Sequence, residues 1–545
     1  MLILEALNIK KYYSDRLIIG FDRLKIYSGD RIGIVGQNGS GKTTLLNILS
    51  QDIEPDEGLV RKYGDIAYIR QFSQEDIEAD PKVLSEFELS DKKDRINYSG
   101  GEKTRIKIAN AFSSEKLLVF ADEPTSNLDT KGVQLLKKRL LSVESLLLIS
   151  HDRELLESVC NKILEVNNGK ISVFNGCFSF YEKQKYLEFK SQEQEYNKYI
   201  QERSDIEEAI IERQGKSKAM RKAPKRMGNS EARLHKRESN EKKEKIDGAA
   251  NILKTRLEKL EVKQKPKELP KIKLDFSLTN PPANKIIISS DKLNFGYDSK
   301  SVFDCAKFKI YNGKKTVLWG ENGTGKTTLL NLISQNENDI YIVPKARIGY
   351  FKQGFENIDM DRSVMENVMK DSIQNQSIAR TILARLLISG DDVFKKVGVL
   401  SGGERIKVSF AKLFVSNSNV LLLDEPTNYL DIQSIKALES VLLEYEGAVV
   451  FVSHDKTFVA NVADRMLVFE NQKIKEYDGS PKTYLQDGQN KEIHKNSSDN
   501  ELKRMTIQLR MTEIISKLSL PGGDKQALED EYQSLLLQFK QLNKL

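Results

Sequence analysis

Hydrophobic and polar positions along the chain follow three rhythms. The first is alternation, as in Met1–Leu7, which predicts a half-buried strand. The second is a short apolar run, as in Arg31–Val35, Leu117–Ala121, Lys315–Trp319 and Leu421–Leu423. Such runs, bounded by glycine or acidic residues, read as strands buried on both faces. The third is a near-heptad spacing inside charged sequence. Phe189, Tyr196, Tyr199, Ile206 and Ile210 form one stripe, and Ile246, Ala250, Leu253, Leu257 and Leu260 form a second. Two stripes with charges on the other faces predict an antiparallel helical hairpin. Pro224 and Gly228 interrupt the pattern between them, which puts the turn near Lys222–Asn229. A first arm of ~35 residues would reach roughly 50 Å.

After Gln486 the helical rhythm returns. Ile507, Met511, Ile514 and Leu518 make one stripe, and Leu528, Tyr532, Leu535, Phe539 and Leu542 another, with a turn at Pro521–Gly523 between. A helix pair that packs on itself or docks on a partner is expected there. The boundaries follow: a first domain over 1–182, a linker over 183–282, a second domain over 283–485 and a helical extension over 486–545.

Composition narrows the class. The chain has 545 residues, 39% hydrophobic and 30% charged, enough for two to four domains at roughly 150 residues each. No run approaches the ~18 apolar residues of a membrane helix. The N-terminus lacks a basic stretch with a small-residue cleavage site. Cys160, Cys177 and Cys305 have no metal or disulfide spacing, which suits free thiols in a reducing cytoplasm. Charge is unevenly spread. Ten Lys or Arg face one acid between Arg213 and Arg237, a local +9 against +7 for the whole chain. A segment so basic requires solvent or an anionic partner.

The chemistry lies in an internal repeat. Gly36–Thr43 follows one apolar run, and Gly320–Thr327 repeats its frame after another. Both are phosphate loops between a strand pattern and a helix pattern. Glycines let backbone N–H groups close on phosphates, lysine adds charge, and a Thr hydroxyl can hold Mg²⁺. The nucleotide contacts expected are Gly36, Asn38, Gly39, Gly41, Lys42, Thr43 and Thr44, and in the second copy Gly320, Asn322, Gly323, Gly325, Lys326, Thr327 and Thr328. Further pairs recur at offsets of 302 or 303 residues: Ser99–Glu102 with Ser401–Glu404, Asp122–Thr125 with Asp424–Thr427, Asn127–Asp129 with Tyr429–Asp431, and Ser150–Asp152 with Ser453–Asp455.

These residues resemble the nucleotide-binding domains of the ABC ATPase superfamily, over both halves. The resemblance implies an α/β fold: two tandem ABC-type P-loop ATPase domains joined by a long α-helical hairpin linker, with a C-terminal helical hairpin extension. It implies ATP and Mg²⁺ as cofactors. Thr43, Gln71 and Asp122, with Thr327, Gln353 and Asp424, would serve the metal. Glu123 and Glu425 would activate the attacking water, and His151 and His454 would contact the γ-phosphate. Tyr13 and Tyr297 each stand 23 residues before their loop and are candidates to stack on adenine, with Tyr12 a rival in the first half. Ser99 and Gly101, like Ser401 and Gly403, open a helix whose N-terminus favours anions. In this superfamily that segment completes the opposite domain's site. Lys42 should therefore face Ser401, and Lys326 should face Ser99. The two sites are expected to be unequal. Gln71 to Ser99 spans 28 residues against 48 from Gln353 to Ser401, and Tyr98 stands where Leu400 does in the second half.

Two cassettes, no membrane segment and a charged linker resemble the ABC-F class. The trimmed first cassette, the long linker, the tail, Leu7–Lys11 with Asp15–Leu17, and Thr381–Arg385 resemble its antibiotic-resistance members of the Vga type. That resemblance implies a cytoplasmic monomer whose ATPase domains pair intramolecularly on the bacterial 70S ribosome. It would bind the E site, with the linker against P-site tRNA and 23S rRNA near the peptidyl-transferase centre. Lincosamides, pleuromutilins and streptogramin A would be dislodged. The expected tip contacts are Lys218, Met220, Arg221, Lys222, Lys225, Arg226, Met227 and Arg233. Three alternatives stay open: a DNA-binding ABC ATPase of the Uup kind, a housekeeping ABC-F translation factor, and the ATPase subunit of an exporter.

Overall fold

The structure is a computed structural model. It describes residues 1–70, 100–113, 116–126, 128–219, 229–263, 276–297, 300–337, 339–352, 358–477, 479–485 and Arg510. The expected helix pair over 486–545 and the residues 220–228 of the linker turn lie outside the described residues, as do Gln71, Tyr98, Ser99, Asn127 and Gln353.

The first half begins with strands β1 (Leu2–Tyr13), β2 (Arg16–Tyr27) and β3 (Arg31–Val35), then helix α1 (Lys42–Ser50). Strands β4 (Glu57–Lys62) and β5 (Ile66–Ile69) follow, then α2 (Gly100–Phe112), β6 (Leu118–Asp122), α3 (Thr130–Ser142), β7 (Ser145–Ile149), α4 (Arg153–Val159), β8 (Lys162–Asn167) and β9 (Lys170–Asn175). β1 pairs antiparallel with β2 and β4. The central sheet runs in the order β5-β6-β7-β3-β8-β9, with only β9 antiparallel. Every residue of β6 and β7 is buried, which explains the unbroken apolar runs. One face of the sheet packs Ile106, Leu136, Leu148 and Leu156; the other packs Ile26, Leu45, Leu49 and Phe120.

The second half repeats the plan. Its strands are β10 (Ile286–Tyr297), β11 (Lys300–Tyr311), β12 (Lys315–Trp319), β13 (Tyr341–Ile342), β14 (Ile348–Phe351), β15 (Val420–Asp424), β16 (Ala448–Val452), β17 (Arg465–Glu470) and β18 (Lys473–Tyr477). The central sheet runs β14-β15-β16-β12-β17-β18. After α7 (Lys326–Gln335), the longer interval before Ser401 holds a helical layer of α8 (Val364–Met369) and α9 (Gln376–Arg385), with Val364, Val368, Ile382 and Leu383 in the same core as the sheet.

Between the halves stand α5 (Phe178–Ala219) and α6 (Asn229–Lys259). Arg256 pairs with Glu202 at 2.7 Å, and Arg213 donates to the Ala249 carbonyl at 3.1 Å, so the helices run in opposite directions. Ile206, Ile210 and Ala250 fill the seam. α5 has 42 residues, about 63 Å at 1.5 Å each. It begins earlier than the linker boundary read from the sequence because Phe178 and Tyr181 pack into the first half's core, and Tyr181 donates to Glu165 at 3.1 Å. The hairpin is thus rooted in an ATPase fold. No helix among the described residues is long and apolar enough to cross a membrane.

Candidate functional site

Each phosphate loop leaves the carboxyl end of a buried strand, β3 or β12, and enters α1 or α7 (Lys326–Gln335). Gly41 and Gly325 cap these helices at φ 99°. A Cβ at Gly41 would stand 2.9 Å from Ile18, and one at Gly325 2.6 Å from Val302. Glycine is therefore required twice over, by conformation and by space. Lys42 donates to the carbonyls of Gly36 and Gln37 at 2.8 and 2.9 Å; Lys326 does the same to Gly320 and Glu321 at 2.8 and 2.7 Å. Burial lowers the pKa of both ammonium groups, and the nearby carboxylates oppose that shift.

The acidic pairs sit at the ends of β6 and β15. Thr327 donates to Asp424 at 3.2 Å, and Thr43 bonds Asp122 in the same way. Burial raises the pKa of Asp122 and Asp424 while these hydroxyls oppose it. Glu123 and Glu425 both have φ 48°, a left-handed conformation that costs energy for a residue with a Cβ. The main-chain N–H of each fixes it by donating to Ile149 and to Val452, at 2.9 and 3.0 Å. Burial pushes Glu123 up to about 8 and Glu425 to about 7. These values suit a base working near neutral pH. His151 and His454 place Nε2 3.3 and 3.4 Å from their glutamates, and burial lowers them to about 3 and about 4, so both rings are neutral.

The halves meet head to tail. Asn38 of loop one donates its backbone N–H to Asp431 at 2.9 Å and its side-chain amide to the Tyr429 carbonyl at 2.7 Å. A Cβ on Gly403 would stand 2.5 Å from Asn38 Nδ2. Ser401 caps α10 (Gly402–Val415) through a reciprocal box with Glu404. Loop two opens instead onto a cavity of 680 Å³. Asn322, Gly323, Gly325, Lys326, Thr327, Thr328 and Tyr297 line it from the second half, and Gly101, Ser126 and Leu128 from the first. Glu123, His151, Asp424, Glu425 and His454 border the same space. Tyr13 and Tyr297 end their strands half exposed, Tyr297 edge-on to Phe295 at 5.1 Å. Tyr12 instead gives its backbone N–H to Asp56.

The structure thus gathers the loop, acidic and histidine candidates around two places between the halves. Gln71, Ser99 and Gln353 lie outside the described residues, as do Met220, Arg221, Lys222, Lys225, Arg226 and Met227; Lys218 ends α5 exposed, and Arg233 lies on α6. Sequence reading missed the bonds across the interface. Asp431 and Tyr429 belonged to a recognised repeat, but nothing in that repeat told what they hold. Arg153 reaches Glu439 at 3.4 Å and the Ile432 carbonyl at 3.5 Å, with both side chains about nine-tenths buried. Its signal was only its place beside Asp152.

A group of ≥3 His, Cys, Asp or Glu that could hold a metal alone is absent among the described residues. The donor sets of one Thr and one Asp nevertheless fit Mg²⁺, which keeps waters and phosphate oxygens as its other ligands. Glu123 Oε1, buried 3.3 Å from His151 Nε2, accepts no hydrogen bond there and can receive a polar guest.

Comparison with known proteins follows the same lines. The family described as ABC transporter matches residues 22–126 and 303–428, the two ATPase cores. The chain is 32% identical over 478 residues to the erythromycin resistance ATP-binding protein MsrA of Staphylococcus epidermidis, covering 86% of this chain and 97% of that one. It is 27% identical over 556 residues to the ribosome protection protein VmlR of Bacillus subtilis strain 168, covering 99% and 98%. Among solved structures, archaeal aABCE1 in complex with ribosomal stalk protein aP1 superposes with a TM-score of 0.59 at 20% identity, covering 88% of this chain and 92% of that one, a likeness of fold. Paired phosphate loops, their acidic partners and 32% identity to MsrA over 86% of the chain make this chain a member of the ABC family, an ABC-F ATPase.

Proposed function

We propose that this chain is an ATP-gated ribosome-protection protein. It binds the E site of the bacterial 70S ribosome, and its α5–α6 hairpin pushes toward P-site tRNA and the peptidyl-transferase centre. Lincosamides, pleuromutilins and streptogramin A leave as a result. The observation that carries the reading is a 42-residue helix rooted in one ATPase half and followed in sequence by a strongly basic segment. A transporter engine has no use for such a probe, whereas folded RNA offers phosphates to its Lys and Arg and bases to Met220 and Met227. Kinship with proteins named for erythromycin resistance and ribosome protection supports it.

In the working cycle, two ATP molecules draw the halves together. Gly101 and Ser99 complete the Lys326 site, and Gly403 and Ser401 the Lys42 site. Mg²⁺, held by Thr43 with Asp122 and by Thr327 with Asp424, would neutralise phosphate charge. Gln71 and Gln353 would sense it. Glu123 and Glu425 orient and deprotonate water, and neutral His151 and His454 contact the γ-phosphate. Tyr13 and Tyr297 stack on adenine. Hydrolysis opens the halves and withdraws the hairpin.

The test is co-sedimentation of purified chain with 70S ribosomes. Binding that requires ATP, and that persists in the Glu123→Gln, Glu425→Gln double variant, is expected. Retention on duplex DNA instead of ribosomes would favour the DNA-binding reading of the Uup kind and discard this one. Alanine at Arg221, Arg226 and Met227 should abolish drug protection with ATPase activity kept.

A further inference from the structure

The two composite sites are joined by different chemistry. At the Lys42 site, loop one is bonded to the opposite half at three points. Asn38 reaches Asp431 and Tyr429, and Gln37 donates to Gln433 at 3.0 Å. At the Lys326 site the matching residue, Asn322, turns to His454 of its own half at 3.1 Å. Among the described residues its loop bonds the other half at the rim, where Glu321 pairs with Lys131 at 2.8 Å, both 60% exposed.

The carboxylates behind the loops explain part of this. Asp431 caps α11 (Ile432–Glu444) with Oδ1, through Ser434 N–H at 2.8 Å, and keeps Oδ2 for Asn38. Asp129 caps α3 with its Oδ1, and that same oxygen binds Arg105 at 2.9 Å. At the position matching Arg105 the second half has Lys407, buried beside Asp431. Arg105 is hydrogen-bonded to its carboxylate, whereas Lys407 acts on Asp431 as a nearby charge and leaves Oδ2 to reach across. Hydrogen bonds to a carboxylate are strong, while an exposed ion pair holds little.

We infer that the two sites open in a fixed order, the Lys326 site exchanging nucleotide while the Lys42 site stays closed. Asn38 and Asp431 are the positioning residues of that order. The inference rests on the reading of both places as ATP sites.

One side chain reports on it. Trp319, the single tryptophan of the chain, ends β12 immediately before loop two. The full-length protein is loaded with Mg²⁺ and a mant-labelled imido analogue of ATP, then chased with unlabelled ATP. Directly excited mant emission should decay in two phases of similar amplitude, at least tenfold apart in rate. Emission sensitised by Trp319 should follow the fast phase. Asn38→Ala should accelerate or remove the slow phase, and Asn322→Ala should leave it alone. Sensitised emission that follows the slow phase overturns the order, as does an Asn38→Ala change confined to the fast phase. Two bound nucleotides leaving at one rate would also overturn it, with the ATP-site reading intact; a chain that retains none would remove both.

Discussion

The two halves share a frame and differ in what they do with it. Their phosphate loops recur at an offset of 284 residues and their acidic pairs and histidines at 302 or 303, and the glutamates share φ 48°. Yet loop one is bonded across the interface at Asn38, while loop two borders a cavity of 680 Å³ and crosses only through an exposed ion pair among the described residues. The lesson is that the chemical groups were duplicated while their neighbours diverged, Arg105 against Lys407 and Lys131 against Gln433. Differences between the sites should therefore show in the timing of closure before they show in the chemical step.

The largest effect belongs to the glutamates. Replacing both by Gln should lower phosphate release by about 10²–10⁴-fold, the usual worth of a positioned base. The single variants sharpen the comparison. Glu425→Gln should remove most steady-state turnover, because it disables the site proposed to exchange. Glu123→Gln should leave a larger residual rate. Equal losses in the two single variants, measured by phosphate release under saturating ATP, would break the comparison.

Next in size is a buried contact between the halves. Arg153 and Glu439 are buried and cross between halves, and Asn461 adds a bond to Glu439 at 3.2 Å. At the position matching Arg153 stands Lys456, paired with Glu154 at 3.4 Å and more exposed. Removing one partner of a buried pair leaves an uncompensated charge and costs about 3–5 kcal/mol. Arg153→Met should thus lower the thermal midpoint clearly, and Lys456→Met much less. Similar midpoints for the two variants would show that this asymmetry is only geometric.

Much of this was legible in the residues. The apolar runs named buried strands, and the repeat located both loops. The near-heptad stripes named a seam that Ile206, Ile210 and Ala250 fill. What was not legible has a common physical cause. Asn38 and Asp431 lie 393 positions apart, and their contact depends on how two folded halves dock. No local pattern encodes that. The way α5 joins the first half was hidden for a related reason. Phe178 and Tyr181 are core residues of the first half and helix residues of the hairpin at once, so the helix runs through the 182/183 boundary read from the sequence. The strain at Glu123 and Glu425 was also hidden, since φ follows from the strand-end bonds to Ile149 and Val452.

A third effect tests the packing of loop one. Gly403 has no room for a methyl group beside Asn38 Nδ2 and the Tyr429 carbonyl, at 2.5 and 2.9 Å from an added Cβ. Overpacking of this kind costs about 1–3 kcal/mol. Gly403→Ala should weaken closure of the Lys42 site by about tenfold, seen as faster release of the slowly leaving nucleotide. Slow release unchanged in this variant would mean that loop one is not held where it stands here.

The smallest effect lies at the rim, where a charged pair in one site matches an amide pair in the other. Lys131 and Glu321 are both well exposed, so their pairing is worth under about 1 kcal/mol and falls with added salt. Lys131→Gln puts at this rim the residue that position 433 carries at the other. The variant should release nucleotide from the Lys326 site less than about fivefold faster at low ionic strength and at the wild-type rate near 1 M salt, where screening has already removed the attraction. The Lys42 site, held at Gln37–Gln433 by uncharged groups, should show no such salt dependence at its rim. A variant whose effect persists at high salt would mean that Lys131 acts through packing, and the charged and neutral rims would then be equivalent in function.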